Sequence, residues 1–257
     1  MLKRWVLIAV LLMASVRAGA VDYTDVYYNP AEEGWGVFLV QSDTFQFLAF
    51  FIYGPDGKPV WYTAELRQDS SGSFVGPLYA TTGTPFGLSW NASDLTSVAV
   101  GTASFQPTSA STATLLYTLT GGSPVIKTLQ RQTLTSITLA GNYVGGQSGA
   151  YSGCTSSAEN KAYIDRYDLQ VTQLNNQSVT LQFKYTNGLT CTFSGTLAQY
   201  GQLHIIPATT YQCSDGLNTT AIVSELKATS LGIEGRFAAP AVGGGCREDG
   251  QFSAVLQ

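Results

Sequence analysis

From residue 178 apolar and polar side chains trade places one by one: Val179, Leu181, Phe183 and Tyr185 against Thr180, Gln182, Lys184 and Thr186. A period of two puts the apolar set on one face of an extended strand and the polar set on the other, so one side is buried and one is wet. Leu189, Cys191 and Phe193 then alternate with Thr190, Thr192 and Ser194. A two-residue Asn187-Gly188 turn would oppose every apolar residue to a polar one. A three-residue loop, Thr186-Asn187-Gly188 with Gly188 left-handed, instead opposes Tyr185 to Leu189 and Phe183 to Cys191. The pattern therefore predicts that loop, with Cys191 pointing inward.

No stretch of ten residues after the N-terminus joins helical period to helix-forming composition. Short β-branched and aromatic runs recur between Gly, Pro, Asn and Asp clusters, at strand spacing. Candidate strands lie near 35–41, 44–53, 59–66, 73–80, 97–106, 112–120 and 124–132, then 140–145, 161–173, 178–186, 189–198, 202–212, 219–228, 231–238 and 250–256. The fold class is all-β: two small antiparallel β-barrel or sandwich domains of about seven to eight strands each, over residues 21–134 and 135–257. All four cysteines fall in the second half and Trp35, Trp61 and Trp90 in the first, which supports the split. Residues 35–66 read as a three-stranded meander. The run from Thr44 to Tyr53 is apolar on both faces, so that strand is expected to be covered on both sides.

The first twenty residues read as an export signal: Lys3 and Arg4, an apolar run from Trp5 to Ala14, then Ala18-Gly19-Ala20. The run is about ten residues, too short for the ~20 that span a bilayer. Cleavage is expected after Ala20. With Lys3, Arg4 and Arg17 removed, ten basic residues face seventeen acidic ones, a net charge near −7. So acidic a chain is a poor partner for nucleic acid and lacks the basic face that anionic membranes attract. No membrane span is expected in the mature chain, which is placed in the periplasm or secreted.

Cys154, Cys191, Cys213 and Cys246 make an even count, which reads as two disulfides in an oxidising compartment. Zinc is disfavoured, because there is no C-x-x-C pair and only one histidine, His204. Three connectivities are open; Cys154–Cys191 with Cys213–Cys246 is favoured. His204 sits among Leu203, Ile205 and Ile206 and reads as a strand histidine, not a general base. No serine-hydrolase, zinc-protease, P-loop or EF-hand pattern occurs. No catalytic residue, metal ligand or cofactor is assigned. Glu32 and Glu33 are adjacent and read as a solvated turn. Asp165-Arg166-Tyr167-Asp168 reads as surface charge near a strand.

Tyr28-Asn29-Pro30-Ala31-Glu32-Glu33-Gly34-Trp35-Gly36, an apolar hairpin, and Gly54-Pro55-Asp56-Gly57-Lys58-Pro59-Val60-Trp61-Tyr62 together resemble a group of exported proteobacterial β-proteins of unknown activity. Their signature is Asn-Pro-x-Glu-Ser-Gly-Trp-Gly, and the likeness covers residues 22–132. Glu33 stands where that signature has Ser. The resemblance implies an exported β-module and names no reaction.

Aromatic side chains supply the candidate ligand site: Tyr28, Trp35, Trp61 and Trp90. Such rings can stack on sugars or apolar ligands. Trp35 and Trp61 could share a surface across the meander, whereas Trp61 and Tyr62 must face opposite ways. The sequence thus reads as a non-catalytic binding module of the envelope or medium, for a glycan, a small apolar ligand or an envelope protein. An inhibitor or assembly partner of a secreted enzyme, and a carboxylate-based hydrolase, are the alternatives.

Overall fold

A computed structural model describes residues 21–175 and 177–257; the expected signal segment lies outside them. Eight strands form the first barrel: β1 (Asp25–Asn29), β2 (Glu32–Ser42), β3 (Phe45–Tyr53), β4 (Pro59–Gln68), β5 (Phe74–Thr82), β6 (Thr96–Pro107), β7 (Thr112–Leu119) and β8 (Val125–Arg131). Each pairs antiparallel with the next and β8 returns to β1, so no sheet edge is left open. The second set is β9 (Gly141–Ser152), β10 (Ala162–Leu174), β11 (Ser178–Tyr185), β12 (Thr190–Thr196), β13 (Ala198–Tyr200), β14 (Leu203–Cys213), β15 (Asn218–Ala228), β16 (Gly232–Ala239) and β17 (Arg247–Leu256). Here β12 pairs with β14 and β17 with β9, closing a second eight-stranded barrel, while β13 rides on β14. The chain is all-β, and both units are closed antiparallel barrels.

Alternation explains both interiors. In β11 and β12 the inward residues are Val179, Leu181, Phe183, Cys191 and Phe193, with Phe183 opposite Cys191 as the three-residue loop requires. Gly188 has φ +89°, and Tyr185 N–H bonds the Leu189 carbonyl at 2.8 Å. Leu39, Leu48, Phe50, Leu66, Phe74 and Phe105 fill the first barrel. Burying each such side chain contributes about 1.5–3 kcal/mol.

Three expectations are corrected. The 44–53 segment is not covered on both sides: Leu48 and Phe50 point inward, while Phe47, Phe51 and Tyr53 stand in solvent on the outer wall. The first barrel gains β1, a five-residue strand too short to register as a periodic run. The disulfides are Cys191–Cys213 and Cys154–Cys246, not Cys154–Cys191 and Cys213–Cys246. The reason is register. Cys191 and Cys213 are direct cross-strand partners on β12 and β14. Cys154 and Cys246 flank the closing pair of the barrel, where Ser152 on β9 faces Arg247 on β17.

A buried ion pair fixes where the barrels meet. Arg131, at the end of β8, is 1% exposed and bonds Asp25 Oδ2 at 3.1 Å. Its other donors reach the carbonyls of Ala110 (2.8 Å), Thr24 (3.1 Å) and Asp22 (2.5 Å). The second barrel joins through Gln202, whose N–H donates to the same Asp25 Oδ2 at 3.1 Å. Beside it Gly201 has φ +61°, and a Cβ there would sit 2.2 Å from that oxygen. Gln199 adds bonds to the linker, from its Nε2 to the Thr135 carbonyl (2.8 Å) and to its Oε1 from Ile137 N–H (3.3 Å).

His204 lies close to this junction, opposite Leu226, 1% exposed and with no hydrogen-bond partner on either ring nitrogen. Burial, above all, lowers its pKa; the nearby backbone of Leu226 and Ile137 offsets this in part.

Two predictions follow from the junction. Asp25→Ala strands a buried guanidinium and should cost about 3–5 kcal/mol in denaturant unfolding, whereas Asp25→Leu with Arg131→Met should cost less than the single change. For His204 the unfolded imidazole binds protons near its ordinary pKa of about 6.5 while the folded one resists them, so its contribution is present above about pH 6.5 and is lost as pH falls. His204→Leu should therefore flatten the acid-side loss of stability. Glu225 and Glu248, both raised by burial, slope the other way, so the readout is the difference between variant and parent across pH 5–7.

Candidate functional site

The first barrel's interior is closed by its own apolar side chains, so any ligand it takes must meet the outside. β2 carries an irregularity there. Tyr27 faces Val37 and Asn29 faces Glu32, so two steps along β1 are matched by five along β2. Gly34 makes this excursion possible at φ +99°, a conformation L side chains rarely adopt. Gly36 lets the strand return, since a Cβ there would lie 3.0 Å from the Tyr27 carbonyl oxygen. The bulge turns Trp35 onto the barrel rim. Lys127 Nζ sits 5.7 Å from the indole centroid and 2.5 Å from Glu32 Oε2. The Lys127 bond, first, and the neighbouring Trp35 indole hold the Glu32 pKa below the usual carboxylate range.

A shallow recess of about 420 Å³ opens beside the bulge, lined by Tyr28, Trp35, Phe38 and Phe51, with Glu33 and Gln132 as its polar groups. Phe38 and Phe51 meet edge-to-face at 5.1 Å, each about half exposed. Trp61 is the cross-strand partner of Phe51 and continues the aromatic wall at 54% exposure. Of the four candidate residues, Tyr28 and Trp35 line the recess and Trp61 extends it. Trp90 stands apart, 66% exposed on the loop between β5 and β6. Thr84, Asn91 and Asp94 tie that loop together: Thr84 Oγ1 bonds Asp94 Oδ2 at 2.9 Å and Asn91 Nδ2 bonds Asp94 Oδ1 at 3.0 Å. Phe38 and Phe51 were missed in the sequence because residues 37–40 are all apolar, as is every position from 45 to 53 except Gln46, which hides which face is wet.

Two other places concentrate polar groups. A groove of about 730 Å³ runs between the barrels, with Asp22, Arg166, Glu225, Lys227, Glu234 and Arg236 among its walls. Glu225 sits at a β15 irregularity with φ +51°, and Arg236 Nε bonds its Oε2 at 3.2 Å. Burial, the main cause, still leaves the Glu225 carboxyl raised. The second place is the end of the second barrel that carries both disulfides, where Glu248 is buried among Tyr151, Tyr163 and Tyr211.

Among the described residues one group of three potential metal-ligating side chains converges: Cys154, Glu159 and Cys246. Both sulfurs are consumed in a disulfide, so no thiolate is left to ligate. Glu32 and Glu33 are both exposed, with Glu32 committed to Lys127. Among the described residues no helix is long and apolar enough to cross a membrane. The two disulfides point to an oxidising environment for the folded chain. Comparison with known proteins adds no identity: no protein-family model matches the chain, and no curated protein matches its sequence.

Proposed function

We propose that this is an exported, non-catalytic binding protein of the periplasm or medium, and that the outer wall of its first barrel recognises a glycan. The observation that carries this reading is the cluster of Tyr28, Trp35, Phe38 and Phe51 around one recess, continued by Trp61. Aromatic side chains normally go to a core, and here the core is already full. Phe38, Phe51 and Trp61 are exposed, while Tyr28 is half-buried and Trp35 rests one side on the core; rings so gathered on one wall mark an interaction surface. Sugars suit this wall better than purely apolar ligands do: their C–H faces stack on rings while their hydroxyls need polar partners, which Glu33 and Gln132 supply. The export reading rests on the N-terminal segment, on the disulfides and on the resemblance of residues 22–132 to exported β-proteins.

A second reading, an envelope protein or secreted enzyme as partner, is supported by the wall's length, since Val40, Phe47 and Tyr53 are also exposed on β2 and β3. Titrating soluble oligosaccharides of several linkages while following tryptophan fluorescence separates the two. Binding by at least one glycan, weakened tenfold or more by Trp35→Ala and several-fold by Trp61→Ala with Trp90→Ala unchanged, is the expected result. Fluorescence unmoved by every glycan, together with a protein recovered on the wild-type chain and lost on Trp35→Ala, would transfer the wall to the second reading.

A further inference from the structure

The disulfide-bearing end of the second barrel is built unlike the rest of either interior. Gly149 on β9 and Gly250 on β17 are cross-strand partners and bring no side chain inward. The space is taken by their partners on the flanking strands β10 and β16: a Cβ on Gly149 would lie 2.5 Å from the Tyr163 ring, and one on Gly250 2.4 Å from the Phe237 ring. Tyr163 can thereby reach Glu248, to which its hydroxyl donates a short hydrogen bond. The hydroxyls of Tyr211 and Tyr151 also approach the Glu248 carboxylate. Tyr185 closes the ring of phenols by donating to Gln147 Oε1 at 3.0 Å.

The charge at this end is uncompensated. Glu248 is 2% exposed, and its Oε2 has no hydrogen-bond partner of proper geometry. Asp165 follows the inward phase of β10 and adds a second negative charge to its surroundings. Among the described residues no lysine or arginine pairs with either acid: Arg247 is bonded to Asp249, and Arg166 alternates onto the outer face. Burial, first, and Asp165 raise the Glu248 carboxyl despite the three phenols. Burying an unpaired carboxylate is costly, and a cation placed beside it would offset that cost.

We infer that this end of the barrel is a binding site for an organic ammonium group, with Glu248 and Asp165 supplying the counter-charge and Tyr151, Tyr163, Tyr185 and Tyr211 the lining. An ammonium is favoured over a metal ion by the donor set. Calcium draws its six to eight oxygens from carboxylates, carbonyls and water; neutral phenol hydroxyls are not among them, and two carboxylates with one amide fall short. Ammonium needs a few acceptors and gains from aromatic faces around it. Tyr151, Tyr163, Asp165 and Tyr185 are partly exposed, so solvent reaches the edge of the cluster. Cys154–Cys246 and Cys191–Cys213 brace the same rim, so the site is held in shape before a ligand arrives. It lies on the other barrel from the aromatic wall and is independent of the glycan reading.

The test is calorimetric titration of the full mature chain with n-butylammonium and tetramethylammonium chlorides, with sodium and calcium chlorides as controls. Saturable binding of at least one alkylammonium with Kd below about 10 mM is expected. Glu248→Gln, which keeps the shape and the phenol contacts, should weaken it at least tenfold, and Asp165→Asn several-fold. Trp35→Ala should leave it unchanged. Gly149→Ala, which drives a methyl into the Tyr163 ring, should abolish it and lower the melting temperature of the chain. No saturable alkylammonium binding, binding of calcium alone, or full-strength binding by a folded Glu248→Gln or Asp165→Asn chain overturns the inference.

Discussion

The buried pair of Arg131 and Asp25 is the constraint on which the arrangement of this molecule rests. The seam between β1 and β8 is short, with registered partners only at Tyr27–Arg131 and Tyr28–Gln130. A guanidinium with five donors closes it, gathering three carbonyls from β1's approach and the 108–111 turn as well as the carboxylate. Arginine suits this role because its planar fork satisfies several acceptors at fixed angles, which a lysine ammonium does not. Net stabilisation from a buried ion pair is small, since desolvation offsets most of the attraction. Its value is in specificity. Only one placement of the β13–β14 turn brings Gln202 N–H onto Asp25, and Gly201 is the residue that lets the turn come so close.

From that junction outward the two barrels share a topology and use it differently. The first is packed by rings on rings: Tyr27 on Phe105 at 5.3 Å and Phe50 on Tyr117 at 6.0 Å, both edge-to-face. A packed interior at close to crystal density has no room for a ligand, so chemistry is pushed to the wall and rim. The second is packed likewise over most of its length, with Phe193 stacked on Tyr211 at 4.2 Å. Its interior turns polar at His204 beside the junction and, more extensively, toward the far rim. There glycine replaces bulk on two adjacent strands, and hydroxyls replace ring edges.

What the sequence made legible follows the same physics. Strict alternation at 178–194 gave strand phase, turn length and the inward direction of Cys191, because each apolar residue had a polar neighbour to contrast with. That contrast is missing from Phe45 to Tyr53, so neither face of β3 could be named. Disulfide pairing was illegible for a different reason. Cys191 meets Cys213 because β14, not β13, pairs with β12, and Cys154 meets Cys246 because β17 returns to β9. Both are facts of barrel closure, which spacing along the chain does not carry. The candidate tryptophans were identifiable as residues, and the bulge that aims Trp35 was foreshadowed by Gly34 and Gly36. Glu248 left no such mark. Flanked by Arg247 and Asp249, it reads as one more surface charge until β17 is given its phase.

The division of labour between cysteine and tryptophan then has a physical reading. A barrel filled by aromatic contacts along its length resists distortion without cross-links. A barrel whose rim holds a buried carboxylate, a cluster of phenols and two inward glycines has lost apolar contacts there and gained desolvation penalties. Both disulfides sit at that rim and neither elsewhere, so the covalent constraint falls where packing is weakest. Cross-links placed to offset a local loss of packing imply that the polar cluster is retained for a purpose other than stability.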